Sequence, residues 1–151
     1  METQRIILLI EDDSTDAMLV RRALEKTGLD FKLARAKHGD EAIDYLSGVA
    51  PFDNRANHPF PNVILLDIKL PRRTGFEVLD WIRSQSADLS RIPVVMLTSS
   101  KQTVDLNRAY DLGANGYMTK PDTTRQLEEM LADFKKFWLR WNEPPEILSP
   151  C

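Results

Sequence analysis

Five short apolar runs, separated by longer stretches with helical spacing, constrain this chain more than any other feature. The runs are Ile6–Ile10, Phe31–Ala36, Val63–Leu66, Val94–Leu97 and Gly116–Met118. Strands that alternate with helices imply βαβ units and one parallel sheet. A run of branched aliphatics such as Val63-Ile64-Leu65-Leu66 reads as a strand buried on both faces, so helices must cover both sides. The 151 residues suffice for one domain with a real core. The expectation is an α/β fold with a single, doubly wound, five-stranded parallel sheet and five helices.

The helices have their own signals. The first should begin near Ser14 as N-cap and end before Gly28, with Ala17, Leu19, Val20, Ala23 and Leu24 on its apolar face. The second runs from about Asp40 to Leu46 and stops at Gly48. The third runs from Phe76 to about Ser84, and the fourth from Thr103 to Leu112 with Gly113 as its stop. The last opens with Thr123-Thr124-Arg125-Gln126, a capping-box spelling in which Thr123 and Gln126 satisfy each other's backbone donors. Residues Ala50–Pro61, with three prolines, read as a long surface loop.

Composition excludes several classes. Twenty basic residues against 23 acidic ones leave a net charge of −3, without the basic footprint of a nucleic-acid binder. Cys151 is the single cysteine, so no disulfide framework forms within the chain. Ile6–Ile10 is too short for a signal-peptide core or a membrane span. These points place the chain in the cytoplasm, away from membranes.

The chemistry-bearing residues fall at strand ends, where open α/β sheets build their sites. Glu11-Asp12-Asp13 follows the first run, Asp67 the third, Thr98-Ser99 the fourth, and Lys120-Pro121 the fifth. Carboxylates converging from two strands repel unless a cation joins them, and Mg²⁺ suits an all-oxygen site that also handles phosphate. Taken singly, the acidic run is equally a solvated helix cap, Thr98 and Ser99 a helix start, and Lys120 a surface lysine. Their shared position at strand ends favours the site. A cis bond is possible at Lys120–Pro121, with trans the default from sequence alone.

These residues resemble the receiver domain of two-component response regulators, from Arg5 to about Leu139. The carriers are Glu11-Asp12, Leu66-Asp67-Ile68-Lys69-Leu70-Pro71 with Thr74-Gly75, Thr98-Ser99, and Tyr117 with Lys120-Pro121. The resemblance implies the flavodoxin-like receiver fold, strand order 2-1-3-4-5, over residues 1–141, with an insertion loop at 50–61 and a tail at 142–151. It implies that Asp67 accepts a phosphoryl group from a histidine kinase. It implies Mg²⁺ held by Asp12, Asp67 and the Lys69 backbone carbonyl, with Glu11 acting through water. Thr98 and Lys120 would hold the phosphoryl oxygens, and Thr98 with Tyr117 would form the switch. The surface biased by that switch would be the Thr103–Leu112 helix, the fifth strand and the last helix. Family members usually have Lys120–Pro121 in cis. Such a protein catalyses its own phosphorylation and dephosphorylation without being a dedicated enzyme.

The loop Ala50–Pro61 and the extension Phe137-Trp138-Leu139 are similar to those of single-domain cyanobacterial phytochrome response regulators. That similarity implies a phytochrome-type kinase, a kinase without a photoreceptor being the alternative, and signalling by protein–protein contact. Asp122 and Ser99 depart from commoner receiver spellings. The rival reading, a haloacid-dehalogenase-type phosphohydrolase, needs a general acid where this chain has Lys69. A scaffold that is never phosphorylated is disfavoured because every group needed is present. His38 and His58 read as surface histidines. In the last helix, Leu127, Met130, Leu131, Phe134, Phe137, Trp138 and Trp141 make a wide apolar stripe. Its late part, Phe137, Trp138 and Trp141, predicts a homodimer, with the Pro144-Pro145 tail crossing the partner. The competing expectation is a tail folded back over its own aromatics.

Overall fold

The structure is a computed structural model, and it describes residues 4–26 and 28–146. Five strands form one parallel sheet: β1 Arg5–Ile10, β2 Phe31–Ala36, β3 Val63–Leu66, β4 Val94–Thr98 and β5 Gly116–Thr119, in the order β2-β1-β3-β4-β5. Six α-helices connect and cover them: α1 Ser14–Glu25, α2 Gly39–Ser47, α3 Gly75–Arg83, α4 Ala87–Ser90, α5 Thr103–Asp111 and α6 Thr124–Lys135.

Because side chains alternate along a strand, each central strand feeds two cores. Leu8, Ile10, Ile64, Leu66, Val94 and Met96 pack with α2, α3 and Ala109 of α5. Ile7, Leu9, Val63, Leu65, Val95 and Leu97 pack with Ala17, Val20 and Leu24 of α1 and Leu127, Leu131 and Phe134 of α6. The register Ile10↔Leu66↔Met96 brings the ends of β1 and β3 to one level, with β4 running two residues further to Thr98. The residues that follow therefore meet along one edge.

The helix count exceeds the five expected from sequence. The extra element, α4, is a single turn between α3 and β4, too short to leave a periodic signal. The α6 helix also continues as a π-helical turn, Lys136–Trp141, closed by Asn142 N–H donating to the Phe137 carbonyl at 2.7 Å. Two capping expectations are corrected. Asp13, not Ser14, caps α1: its Oδ1 accepts from Asp16 N–H at 2.9 Å, and a charged acceptor suits the positive helix end better than a hydroxyl. At α6, Thr123 Oγ1 accepts from Gln126 N–H at 3.1 Å, but the Gln126 side chain meets the Thr123 hydroxyl at 3.2 Å rather than its backbone. The reciprocal capping box forms instead at Thr74 and Glu77, at the start of α3.

The Lys120–Pro121 bond is trans, against the family habit; the cis bond among the described residues is Ala50–Pro51. The 50–61 loop is pinned by Arg55, whose guanidinium donates to the Tyr45 and Leu46 carbonyls at 2.7 and 3.0 Å and lies over the Phe60 ring. That cation caps the carboxyl end of α2. Neither histidine is a bare surface residue. His38 caps α2 by accepting from Glu41 N–H at 3.1 Å, and His58 packs edge-on against Tyr45 and Phe52.

Lys135 is fully buried, although nothing in its sequence position marks it. Its ammonium donates to the Leu24 and Leu29 carbonyls at 2.8 Å each and lies 4.2 Å from the Phe31 ring centre. It ties α6 to the end of α1. The tail does not cover Phe137 and Trp141, which stay about half and two-thirds exposed. Pro144 and Pro145 lie instead against Phe60, Pro61, Asn62, Asp88, Ile92 and Pro93 of their own chain. The described part of the tail therefore turns back onto the end of the sheet remote from Asp67 rather than reaching away from it.

Candidate functional site

The edge beyond β1, β3, β4 and β5 gathers Glu11, Asp67, Thr98 and Lys120. Backbone bonds fix their heights: Asp67 N–H donates to the Ile10 carbonyl, Glu11 N–H to Ala36, and Lys120 N–H to Thr98 at 2.7 Å. Behind Asp67, the turn into α3 comes so close that a β-carbon at Gly75 would collide with the Asp67 carbonyl oxygen. Glycine is the residue that fits there. Arg72 holds a left-handed backbone, φ 70°, in the same loop, and Arg73 anchors it to Asp40 at 2.6 Å.

At the centre is the Lys120 ammonium. It donates to Glu11 Oε1 at 2.8 Å, Asp16 Oδ2 at 3.0 Å and Asp67 Oδ2 at 3.0 Å. An ammonium has three N–H donors, so this geometry uses all of them. Glu11, Asp67 and Thr98 are buried and the Lys120 side chain is 17% exposed, so the charges interact with little screening by water.

The titrations follow. Burial pushes the Glu11 carboxyl up, a hydrogen bond to Asp67 pushes it further, and Lys120 only partly offsets this; the result is about 9, against an ordinary 4.5. Burial also pushes Asp67 up. The proton held on Glu11, the Lys120 ammonium and the Thr98 hydroxyl outweigh that and keep Asp67 below the usual carboxylate value. Lys120 is lowered by burial, but its carboxylate partners raise it above an ordinary lysine. Asp67 is therefore the ionised member of the pair and Glu11 the protonated one.

The sequence missed two contributors. Asp16 lies in the first turn of α1, and its place in the run Glu11-Asp12-Asp13-Ser14-Thr15-Asp16 was the available signal. Arg35 comes from β2. It donates to the Glu11 carbonyl at 3.1 and 3.0 Å and to the Asp12 carbonyl at 3.2 Å, clasping the acidic loop. No local pattern betrays it, because the contact depends on the β1–β2 register.

Other expected residues are near the site without joining the ammonium. Asp12 is exposed on the rim, and Lys69 is exposed with its N–H 3.4 Å from Asp67 Oδ1. Among the described residues no three acidic, histidine or cysteine side chains are already arranged around a metal position. The donors nevertheless fit a hard cation. Buried Glu11 Oε2 has no hydrogen-bond partner, and Glu11 and Asp67 must share a proton when Lys120 is their only cation. Tyr117 donates its hydroxyl to the Ser100 carbonyl at 3.0 Å, and Ser100 N–H reaches Thr98 Oγ1 at 3.4 Å, linking the expected switch pair.

A buried carboxylate beside a lysine and a hydroxyl, at the carboxyl edge of a 2-1-3-4-5 sheet, defines a receiver-type signalling domain. The family model for the response regulator receiver domain matches residues 7–132, and the chain belongs to that family. Its histidine-kinase partner follows from that membership. It is 39% identical over 140 residues to the probable methanogenesis regulatory protein FilR2 of Methanothrix harundinacea, covering 93% of this chain and 87% of that one. It is 38% identical over 135 residues to response regulator Rcp1 of Synechocystis sp., covering 89% of each; the Mn²⁺-bound form of Rcp1 matches at a TM-score of 0.84 and 37% identity, over 94% of this chain and 99% of that one. The phosphorylated cyanobacterial phytochrome response regulator RcpA matches at a TM-score of 0.87 and 35% identity, over 95% and 100% of the two chains. No helix among the described residues is long and apolar enough to cross a membrane.

The Glu11 proton sets a stability signature. Between pH 4.5 and about 9 the folded chain keeps a proton that the unfolded chain has lost. Stability in a chelating buffer should therefore fall as pH rises through that window, and Glu11→Gln should flatten the fall. The Lys120 contribution is lost only above the ordinary lysine range, outside the window. Urea unfolding at a series of pH values measures both, and an identical slope in the two proteins would contradict the buried proton.

Proposed function

We infer that Asp67 is the phosphoacceptor of a phytochrome-linked response regulator, charged by a histidine kinase and signalling through protein contacts. The observation that carries the reading is the ionised Asp67 beside Lys120 and Thr98. In the transfer, an Asp67 oxygen forms a bond to phosphorus as the kinase's P–N bond breaks. The imidazole nitrogen leaves with the bonding pair and takes up a proton. Lys120 neutralises charge on the phosphoryl oxygens, and the Thr98 hydroxyl donates to one of them. The chain thus promotes its own phosphorylation and dephosphorylation and is otherwise not an enzyme.

Mg²⁺ would be held by Asp12, Asp67 and the Lys69 carbonyl, with Glu11 acting through water. It would supply further neutralisation of the transferring phosphoryl charge. A new dianionic group beside Thr98 would draw its hydroxyl, and the Thr98–Ser100–Tyr117 link would carry that change to α5, β5 and α6. A phytochrome-type kinase is supported by the likeness to RcpA and Rcp1 over almost the whole of each chain. FilR2, at similar identity, supports the alternative of a kinase that is not a photoreceptor. A kinase that draws on ATP would put the exchange in the cytoplasm, and neither nucleic acid nor membrane is needed. The domain reading, receiver over 1–141 with its 50–61 insertion and the 142–151 tail, belongs to the same proposal.

Asp67→Asn should fold like the wild type and gain no phosphoryl mass from a phytochrome-type kinase, as read by intact-mass measurement. A phosphorylated Asn variant would overturn the acceptor assignment. Transfer from an unrelated kinase at the same rate would favour the alternative partner.

Exposed Phe137 and Trp141, with Trp138 packed edge-on against Phe137 at 5.0 Å, support a homodimer through this end. Because Pro144 and Pro145 return to their own domain, the aromatics rather than the tail make the interface. Trp138→Ala with Trp141→Ala should sediment as a monomer at micromolar concentration and still be phosphorylated. A monomeric wild type would rule the dimer out.

A further inference from the structure

Lys120 has three carboxylate partners, yet the acceptor chemistry described above uses only two of them. Asp67 is the oxygen that becomes bonded to phosphorus. Glu11 carries the proton of the buried pair and lies beside the expected cation. Asp16 has neither task, but its Oδ2 is as close to the ammonium, 3.0 Å, as that of Asp67.

A surface ion pair would be the bland explanation, and such pairs contribute little. The geometry argues otherwise. The Lys120 side chain is 17% exposed, and the Asp16 end of the pair, at 42%, is the more open to water. The three N–H bonds of an ammonium point in fixed, diverging directions. With Glu11 and Asp67 on the sheet edge and Asp16 on α1, the three acceptors come from β1, β3 and the helix. Asp16 itself is held by the backbone, since its N–H donates to Asp13 Oδ1 at 2.9 Å in the capped first turn of α1. That bond fixes the height of Asp16 on the helix, and the Lys120 ammonium orients its carboxylate.

When Asp67 gives up an oxygen to phosphorus, Lys120 must transfer one N–H from Asp67 Oδ2 to a phosphoryl oxygen. Without Asp16 the ammonium would keep only Glu11 during that exchange and could swing, whereas one still held by both Asp16 and Glu11 can only redirect the freed N–H. We propose that Asp16 is a positioning residue for phosphoryl transfer, which acts by anchoring the Lys120 ammonium from α1. This rests on the acceptor reading of Asp67. Asp16 touches neither phosphorus nor the acceptor oxygen, so its effect passes through Lys120.

That routing makes a double-mutant test decisive. Phosphorylation of the full chain is measured with a phosphorylated histidine kinase for the wild type, Asp16→Ala, Lys120→Met and the double variant. Asp16→Ala slows phosphorylation about tenfold, a modest misplacement of one catalytic donor. Lys120→Met slows it further, and adding Asp16→Ala to Lys120→Met changes nothing more. Asp16→Glu recovers part of the rate. Nitrogen NMR of the lysine side chains gives a second readout: the Lys120 NH₃⁺ signal, protected from exchange in the wild type, broadens in Asp16→Ala while the backbone amide spectrum stays that of a folded chain. Equal rates for wild type and Asp16→Ala overturn the positioning role alone. So does an Asp16→Ala effect that persists undiminished on Lys120→Met. A wild-type chain that accepts no phosphoryl group overturns the acceptor reading, and the positioning role with it.

Discussion

The ammonium of Lys120 is the interaction on which the site depends. Three carboxyl groups from β1, α1 and β3 could not share one water-poor edge without it, because like charges at these separations repel strongly where the dielectric is low. Even with it, the charges are not fully balanced, and Glu11 holds a proton well above its ordinary range. The resulting division leaves Asp67 ionised and hydrogen-bonded to Lys120. An ionised carboxylate is what attack on phosphorus requires, and the proton on the second carboxyl is what a divalent cation nearby would displace.

The fold makes this arrangement possible through register. Strands β1 and β3 end at one level and are followed at once by Glu11 and Asp67, while β4 and β5 run on side by side to Thr98 and Thr119. Hydrophobic burial on both faces of the sheet fixes that level, since sliding a strand by one residue would turn its core side chains to the wrong helix layer. Close approach at Gly75 and the Thr74–Glu77 capping box then fix the loop behind Asp67. Arg35 does the same for the Glu11–Asp12 loop from β2. Stability and function are thus coupled: the apolar core sets where the carboxylates stand, and the lysine makes their closeness tolerable.

Much of this could be read from the sequence, for an identifiable reason. Glu11, Asp67 and Thr98 directly follow apolar runs and Lys120 directly follows the end of β5, so the sheet rule alone brings them together. The same rule fails for Asp16 and Arg35, which reach the site from a helix face and an edge strand; Asp16 was signalled only by its place in the acidic run, and Arg35 by no local pattern. The short α4 turn and the π-helical end of the last helix were equally hidden, one by its length and the other because its apolar spacing resembles an α-helix. The prolines were a mixed guide. Lys120–Pro121 is trans, as the sequence default had it and against the family habit, and Pro144-Pro145 shares a cleft with Phe60, Pro61 and Ile92 of its own domain.

The central claim is that the Lys120 ammonium is what holds these carboxylates together, and removing it while leaving the acids in place tests this most directly. Unfolding of Lys120→Met and wild type by urea, at neutral pH, is compared in chelator and in excess Mg²⁺. The account predicts a loss of about 3 kcal/mol in chelator, the usual scale for breaking a buried ion pair, with much of it recovered when the divalent cation takes over the neutralising charge. A Lys120→Met chain as stable as the wild type in chelator, with no response to Mg²⁺, would contradict it.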